Sequence, residues 1–435
     1  MKAFKKALLL VLAMIVVFTL AACGKKEDTS ATASVAPEAS AAAGEGTGEA
    51  EAKPEDGAKL LVWESREERP FVEDVLKQFK DKYKVDFEFA EMGAADTVTK
   101  ETTDGPAGIG ADVFVFPHDN LGRAIAANLV LPNDTYEKQS KEENMAPAVR
   151  ATSYKDVLYG FPKAVETYAL FYNTDIVKDV PKTYADVITF SKGFNNKADN
   201  KYGFMWDIGN FYFSYPFFSS LGGYVFGKDG TDPADIGLAN DGAVQGLQLM
   251  QSLKTDALPL KSGDVNWDIK TDLFSKGKLA MNVDGPWAIS SFKGKVNFAV
   301  APLPALAEGK PSKSFSGVKA WYVSAFTKYP IASKLFARFA TSKEMLIKNN
   351  EVTGALPSRI DTKDDPAIAN NPLVLGFLEQ FDTSEPMPSI PEMGSVWGPA
   401  GASLSTIWND GKDAKGELDN AVKQIKEAIA ASAAK

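Results

Sequence analysis

The sequence predicts an α/β fold, and three observations carry that prediction. Short apolar runs alternate along the chain with stretches whose apolar residues recur at helical spacing. The runs end in polar or Gly/Pro turns. With 45% hydrophobic and 24% charged residues, the 435-residue chain has ample apolar surface for a large core.

Residues 59–63 (Lys-Leu-Leu-Val-Trp) suit a buried strand, and residues 64–69 form a charged turn. Phe71, Val72, Val75, Leu76, Phe79 and Tyr83 then recur as on a helix, and Val85, Phe87 and Phe89 alternate as on a strand. A second buried strand is expected over 111–116, ending in Pro117-His118-Asp119-Asn120 with a helix soon after. Such alternation predicts parallel sheets covered on both faces, with a ligand crevice formed by loops at the carboxyl ends of the strands. The turns 64–69 and 117–120 are therefore expected on one rim. Thr183 is placed as the N-cap of a helix over 185–190. A strand is expected over 279–283, stopped by Asp284-Gly285-Pro286-Trp287, and Leu418, Val422, Ile425 and Ile429 mark an amphipathic last helix.

Composition excludes several function classes. A net charge of −9, spread rather than blocked, offers no basic face for nucleic acid. One Cys and one His leave no internal disulfide, no Cys/His zinc site, and no histidine-dependent triad that avoids His118. No metal and no cofactor is expected.

Lys2, Lys5 and Lys6 precede an apolar run over 7–20, the layout of an export signal too short to span a bilayer with its flanks. The closing Leu20-Ala21-Ala22-Cys23 resembles a bacterial lipobox, which implies a signal peptide over 1–22 and lipidation of Cys23. Acyl chains on that thiol would hold a soluble body at a membrane surface. Removing residues 1–22 takes three lysines from the net charge of −9 and leaves −12, so an anionic bilayer repels the body. Residues 24–57 hold one large aliphatic, Val35, and no aromatic. They are expected to form a disordered tether with a reach of roughly 30 Å.

A resemblance becomes specific over an ordered series of pieces. These are Leu61-Val62-Trp63, residues 112–120, Gly160-Phe161-Pro162 through Val165-Glu166 to Phe171-Tyr172-Asn173, Pro181-Lys182-Thr183-Tyr184, Gly222-Gly223-Tyr224, residues 274–287 and residues 314–318. Together they resemble the extracellular solute-binding proteins of bacterial carbohydrate ABC importers. The stretch 387–393 (Met-Pro-Ser-Ile-Pro-Glu-Met) ahead of Trp397 is similar to the maltose/maltodextrin branch, and the likeness covers essentially all of 58–435. It implies a two-lobed, class II periplasmic-binding-protein-like fold with its ligand cleft between lobes. Lobe 1 would comprise 58–164 plus 319–369 and lobe 2 168–316 plus 370–435, with hinge crossings near 164–166, 316–318 and Asn370. The implied function is reversible capture of maltose/maltodextrin-type oligosaccharides and their delivery to ABC permease subunits with a cytoplasmic ATPase. The implied protein is a monomer without catalysis, held outside a Gram-positive-like cell membrane by Cys23.

A sugar ring has apolar C–H faces and a belt of hydroxyls, so its site pairs aromatic planes with acceptors. Trp287, Trp397 and Tyr212 are the expected platforms, with Phe116 a weaker one, and Trp63 is assigned to the core. The resemblance places Glu67, Asp119 and Glu166 at the cleft. Glu166 is a lone acid in the apolar stretch 165–170, so it must pair internally or face a ligand. Whether Glu67 or its neighbour Glu68 faces the cleft stays open, and His118 is read as structural. Maltose binders carry Trp at Phe116, Arg at Asn120, Glu at Asn210, and Tyr and Arg at Gly398 and Gly401. Those exchanges remove donors and one ring, which alters the subsites. The alternatives are another oligosaccharide, a polyamine-like solute, or a glycosidase pairing Glu166 with Glu67 or Asp284.

Overall fold

The structure, a computed structural model, describes residues 52–433; the expected signal peptide, Cys23 and tether residues 24–51 lie outside the described residues. Within the rest of the expected tether, the Glu55 carboxylate accepts from the N–H groups of Ile331 and Ala332 at 2.8 and 2.9 Å. These are free donors of the first turn of helix Pro330–Ala340, so ordered packing begins before Ala58.

One sheet has the order Leu356–Pro357, Phe161–Thr167, Phe315–Val323, Val113–Pro117, Lys59–Glu64, Asp86–Glu91, with Glu385–Pro386 added beside Phe315–Val323. Its side chains alternate between two cores, as the pleat requires. Leu60, Val62, Val115 and Trp321 pack under helices Arg69–Tyr83 and Pro330–Ala340. Trp63, Phe114, Phe116 and Tyr322 point the other way, under helix Leu121–Ala126. Trp63 is thus core, as expected. Helix Arg69–Tyr83 buries Phe71, Val72, Val75, Leu76 and Phe79 and stops at Lys84, which takes a left-handed φ of 59°.

A second sheet, ordered Phe298–Ala301, Ala169–Asn173, Leu279–Asp284, Tyr202–Met205, has its own core with Phe171, Trp206, Phe274 and Trp408. Helix Tyr184–Phe194 opens on the expected Thr183 cap: its hydroxyl accepts from Asp186 N–H, and the Asp186 carboxylate accepts from Thr183 N–H at 2.9 Å. The last helix, Ala414–Ala433, buries Leu418 and Ile425 on this core.

The expectation of parallel sheets needs correction. Lys59–Glu64 is parallel to both neighbours, but Phe315–Val323 runs antiparallel to Val113–Pro117 and to Phe161–Thr167. Leu279–Asp284 is antiparallel to Ala169–Asn173 and parallel to Tyr202–Met205. The reason is the crossing between sheets: a strand that returns from the second sheet enters the first from the opposite end.

At this crossing Thr167 pairs with Ser316 and Glu166 with Gly317. A Cβ on Gly317 would stand 3.1 Å from Met387 Cε and 3.4 Å from Glu166 Cγ, so only hydrogen fits without displacement. His118 secures the same place. Its Nδ1 accepts from Val318 N–H at 3.1 Å, which puts the ring proton on Nε2, and Nε2 donates to Met387 O at 3.0 Å. Burial lowers the pKa of this imidazole to about 4.

Candidate functional site

A cavity of about 510 Å³ lies between the two sheets. From the first sheet it receives the turns that follow Lys59–Glu64 and Val113–Pro117, which do share one rim, together with Glu166 and Lys319. From the second it receives Asn210, Tyr212, Trp267, Trp287 and Trp397. Such a mixture of apolar walls and a few converging polar groups characterises small-molecule sites.

Each aromatic is positioned locally. Trp287 sits in the turn after Leu279–Asp284, where its ring lies against Gly285; a Cβ on that glycine would be 2.1 Å from the ring. Trp397 is half-buried at the start of helix Trp397–Asp410, edge-on to Phe211 and Phe315. Tyr212 lies in helix Phe211–Ser214, whose N-cap Asn210 accepts from Tyr212 N–H at 3.0 Å. Asn210 itself is exposed at the cleft edge. The Tyr212 hydroxyl and the Trp267 Nε1–H are both buried without a hydrogen-bond partner. Buried polar atoms are seldom left so, which makes these two a natural match for a hydroxyl-rich ligand.

The acids divide sharply. Glu68 is committed inward: its carboxylate accepts from Lys163 Nζ at 3.0 Å, and the same ammonium binds Glu64 at 2.5 Å, all three side chains being buried. Glu67 keeps 21% of its side chain exposed and lines the cleft, with only a long contact to Arg66 at 3.7 Å. The register left open by the sequence is therefore decided by an internal lysine. Asp119 lines the cavity, and burial, reinforced by the charge of Glu166, pushes its pKa up to about 7. Burial also raises Glu166, which Lys319 opposes from 3.3 Å.

Phe116 does not reach the cavity. It is fully buried and stacks face to face on Tyr322 with ring centroids 3.6 Å apart, because its place in the strand alternation directs it into a core. Asp284, considered with Glu166 as a catalytic pair, is equally removed: it is fully buried and bound to Lys270. Among the described residues no three His, Cys, Asp or Glu side chains converge as a metal site would, and no helix is long and apolar enough to cross a membrane.

Lys319 and Trp267 were missed from sequence. Lys319 carried a signal: it is the one charge inside the apolar strand Phe315–Val323, the same pattern that singled out Glu166. Trp267 carried none, because nothing local separates a tryptophan of the cleft wall from one of the core.

The family model for bacterial extracellular solute-binding proteins matches residues 74–376. The chain belongs to that family. This solute-binding protein is 34% identical to the galactooligosaccharide-binding protein of Bacillus subtilis (strain 168), over 99% of each chain. It is 30% identical to a maltooligosaccharide ABC transporter solute-binding lipoprotein of Streptococcus pneumoniae serotype 4, over 98% of each. Its structure is similar to that of the Thermus thermophilus maltotriose binding protein bound with maltotriose, with a TM-score of 0.79 and 29% identity, covering 85% of this chain and 100% of that one. The two sheets are thus the two lobes of a periplasmic-binding fold, and the cavity is the interlobe cleft of a solute-binding protein.

Proposed function

We propose that this chain is the ligand-capturing component of an ABC importer and binds a maltodextrin-type oligosaccharide reversibly in the cleft. The observation that carries the reading is the convergence, from both sheets, of Trp287, Trp397 and Tyr212 with Glu67, Asp119 and Glu166. The rings suit the C–H faces of sugars, the carboxylates accept from hydroxyls, and the unpartnered Tyr212 O–H and Trp267 N–H supply further polar groups. Closure of lobe 1 (58–164 plus 319–369) on lobe 2 (168–316 plus 370–435) is favoured because a bound sugar touches both, and the closed form is what permease subunits recognise. The protein acts as a monomer without cleaving its ligand. Glu166 is tied to Lys319 and Asp284 to Lys270, so the Glu166–Asp284 pair imagined for a glycosidase is already engaged. Cys23 carries the lipid that holds it outside the cell membrane.

A second reading, a galactooligosaccharide, is favoured by the match to the Bacillus subtilis relative over 99% of each chain. Titration calorimetry of residues 52–435 against maltose, maltotriose, galactotriose and spermidine separates the readings. Maltotriose is expected to bind most tightly; tighter galactotriose binding transfers the assignment, and binding of spermidine alone ends both. Sugar analysis after overnight incubation must show unshortened ligand. Labelled palmitate should be incorporated by the full chain and not by Cys23→Ala.

A further inference from the structure

Lys319 is a cation standing inside a cleft whose proposed ligand is neutral. Its strand, Phe315–Val323, belongs to the first sheet and pairs Lys319 with Pro117 on one side and Ala164 on the other. The register on the Ala164 side shifts between Lys319 and Ala320. Irregularities of this kind re-aim a side chain next to a binding site, and here a lysine leaves an otherwise apolar strand to enter the cavity. Its side chain is only 11% exposed. The ammonium lies 3.3 Å from Glu166 Oε2 and 4.9 Å from the ring centroid of Trp287, which is carried by the second sheet. One cation therefore touches an acid at the crossing and an aromatic of the opposite lobe.

We propose that Lys319 is a positioning residue that keeps Glu166 ionised for ligand hydroxyls and seats Trp287 by a cation–π contact across the cleft. This rests on the reading of the cleft as an oligosaccharide site. An ionised carboxylate accepts from sugar hydroxyls with both oxygens and binds them more strongly than the neutral acid does, whereas a lone buried acid discharges instead. Lys319, 3.3 Å away, is the first group opposing that discharge. The other charged or titratable groups facing Glu166 are Lys163 on its own strand, Glu68 and Asp119 on the rim turns, and the Tyr212 phenol. Glu68 and Asp119 oppose ionisation, and Lys163 is already shared between Glu64 and Glu68. Burial works against the Lys319 ammonium, yet Glu166, Glu68 and Glu64 hold its pKa above the usual lysine range. It therefore stays charged at every pH the test uses. An ammonium over the indole also limits the ring's tilt.

The test compares wild type, Lys319→Met, Lys319→Arg, Glu166→Gln and the Lys319→Met/Glu166→Gln pair, with maltotriose as probe. Expected is a loss of affinity of about tenfold for Lys319→Met at pH 6.5, most of it regained by pH 9 as Glu166 ionises unaided. Lys319→Arg should stay within about threefold of wild type, and in the Glu166→Gln background Lys319→Met should add less than about twofold. The same loss at every pH, a full additional loss in the Glu166→Gln background, or no loss at all overturns the proposal. Infrared difference spectra of the unliganded proteins test it without any sugar. Lys319→Met should gain at pH 7 a neutral-carboxyl band that the double variant lacks, and absence of that band also overturns it. If wild type binds no saccharide, the reading of the cleft fails, while the infrared result still decides whether Lys319 controls Glu166. Should Lys319→Met not fold, Lys319→Gln is judged by the same criteria.

Discussion

Replacing Lys163 by Met removes the counter-charge of a buried triad without shortening the side chain much. Lys163 Nζ stands 2.5 Å from Glu64 Oε2 and 3.0 Å from Glu68 Oε2, and none of the three side chains is more than 3% exposed. At an effective dielectric of about 20, those separations correspond to gross attractions of about 7 and about 6 kcal/mol. Desolvating three charges offsets most of this, so the pair energies are not the loss to expect. What matters is that Met leaves two carboxylates buried with no cation, and truncating one partner of such a cluster costs about 3–5 kcal/mol. Cation–π contacts of the same ammonium with Trp321 and Phe71, at 5.2 and 5.6 Å, are lost as well. Urea denaturation followed by circular dichroism at pH 7.5 measures the change. The triple variant Lys163→Met/Glu64→Gln/Glu68→Leu, which buries no charge, should regain at least half of the loss. The consequence reaches the cleft, because the triad anchors the turn that presents Glu67. A loss below about 1 kcal/mol, or a triple variant no more stable than the single one, refutes the view that this cluster is dry and mutually dependent.

Trp287→Ala and Trp397→Ala should each weaken maltotriose binding by at least about 1 kcal/mol, or about fivefold, without unfolding the protein. Normal affinity in both removes the stacking assignment. Burial holds the pKa of Asp119 at about 7, and ligand hydroxyls prefer its ionised form, so binding should release a proton. Affinity should rise by about tenfold between pH 6 and pH 8, an increase abolished in Asp119→Asn; calorimetry in buffers of different ionisation enthalpy reads it directly. The pKa of His118 falls to about 4 from 6.5 on folding, so its contribution to stability is complete above pH 6.5 and is lost as pH falls toward 4, by up to about 3 kcal/mol. His118→Gln should flatten that part of the stability profile. As the chain's one histidine, it gives a single imidazole NMR signal that should remain neutral at pH 5.5.

Much of the site was legible because its residues break local patterns. Glu166 interrupts an apolar strand, Trp287 follows a Gly-Pro stop, and the two rim turns end strands whose runs are plain in the sequence. Phe116 failed for the opposite reason: alternation along Val113–Pro117 gives it a side, but which side faces a core and which a cleft depends on helices elsewhere. The register between Glu67 and Glu68 stayed open in the sequence for a similar reason, since the deciding Lys163 is 95 residues away from Glu68.

Strand and helix positions, the exclusion of a Cys/His metal site, and the aromatic and acidic candidates follow from composition and period, which are properties of neighbours along the chain. The antiparallel crossing, the inward pairing of Glu68 and Asp284, the burial of Phe116 and the entry of Lys319 into the cleft follow from contacts between distant segments. A charged or aromatic side chain has the same local signature whether it is satisfied inside the fold or left facing a ligand. Only the assembled structure supplies or withholds the partner.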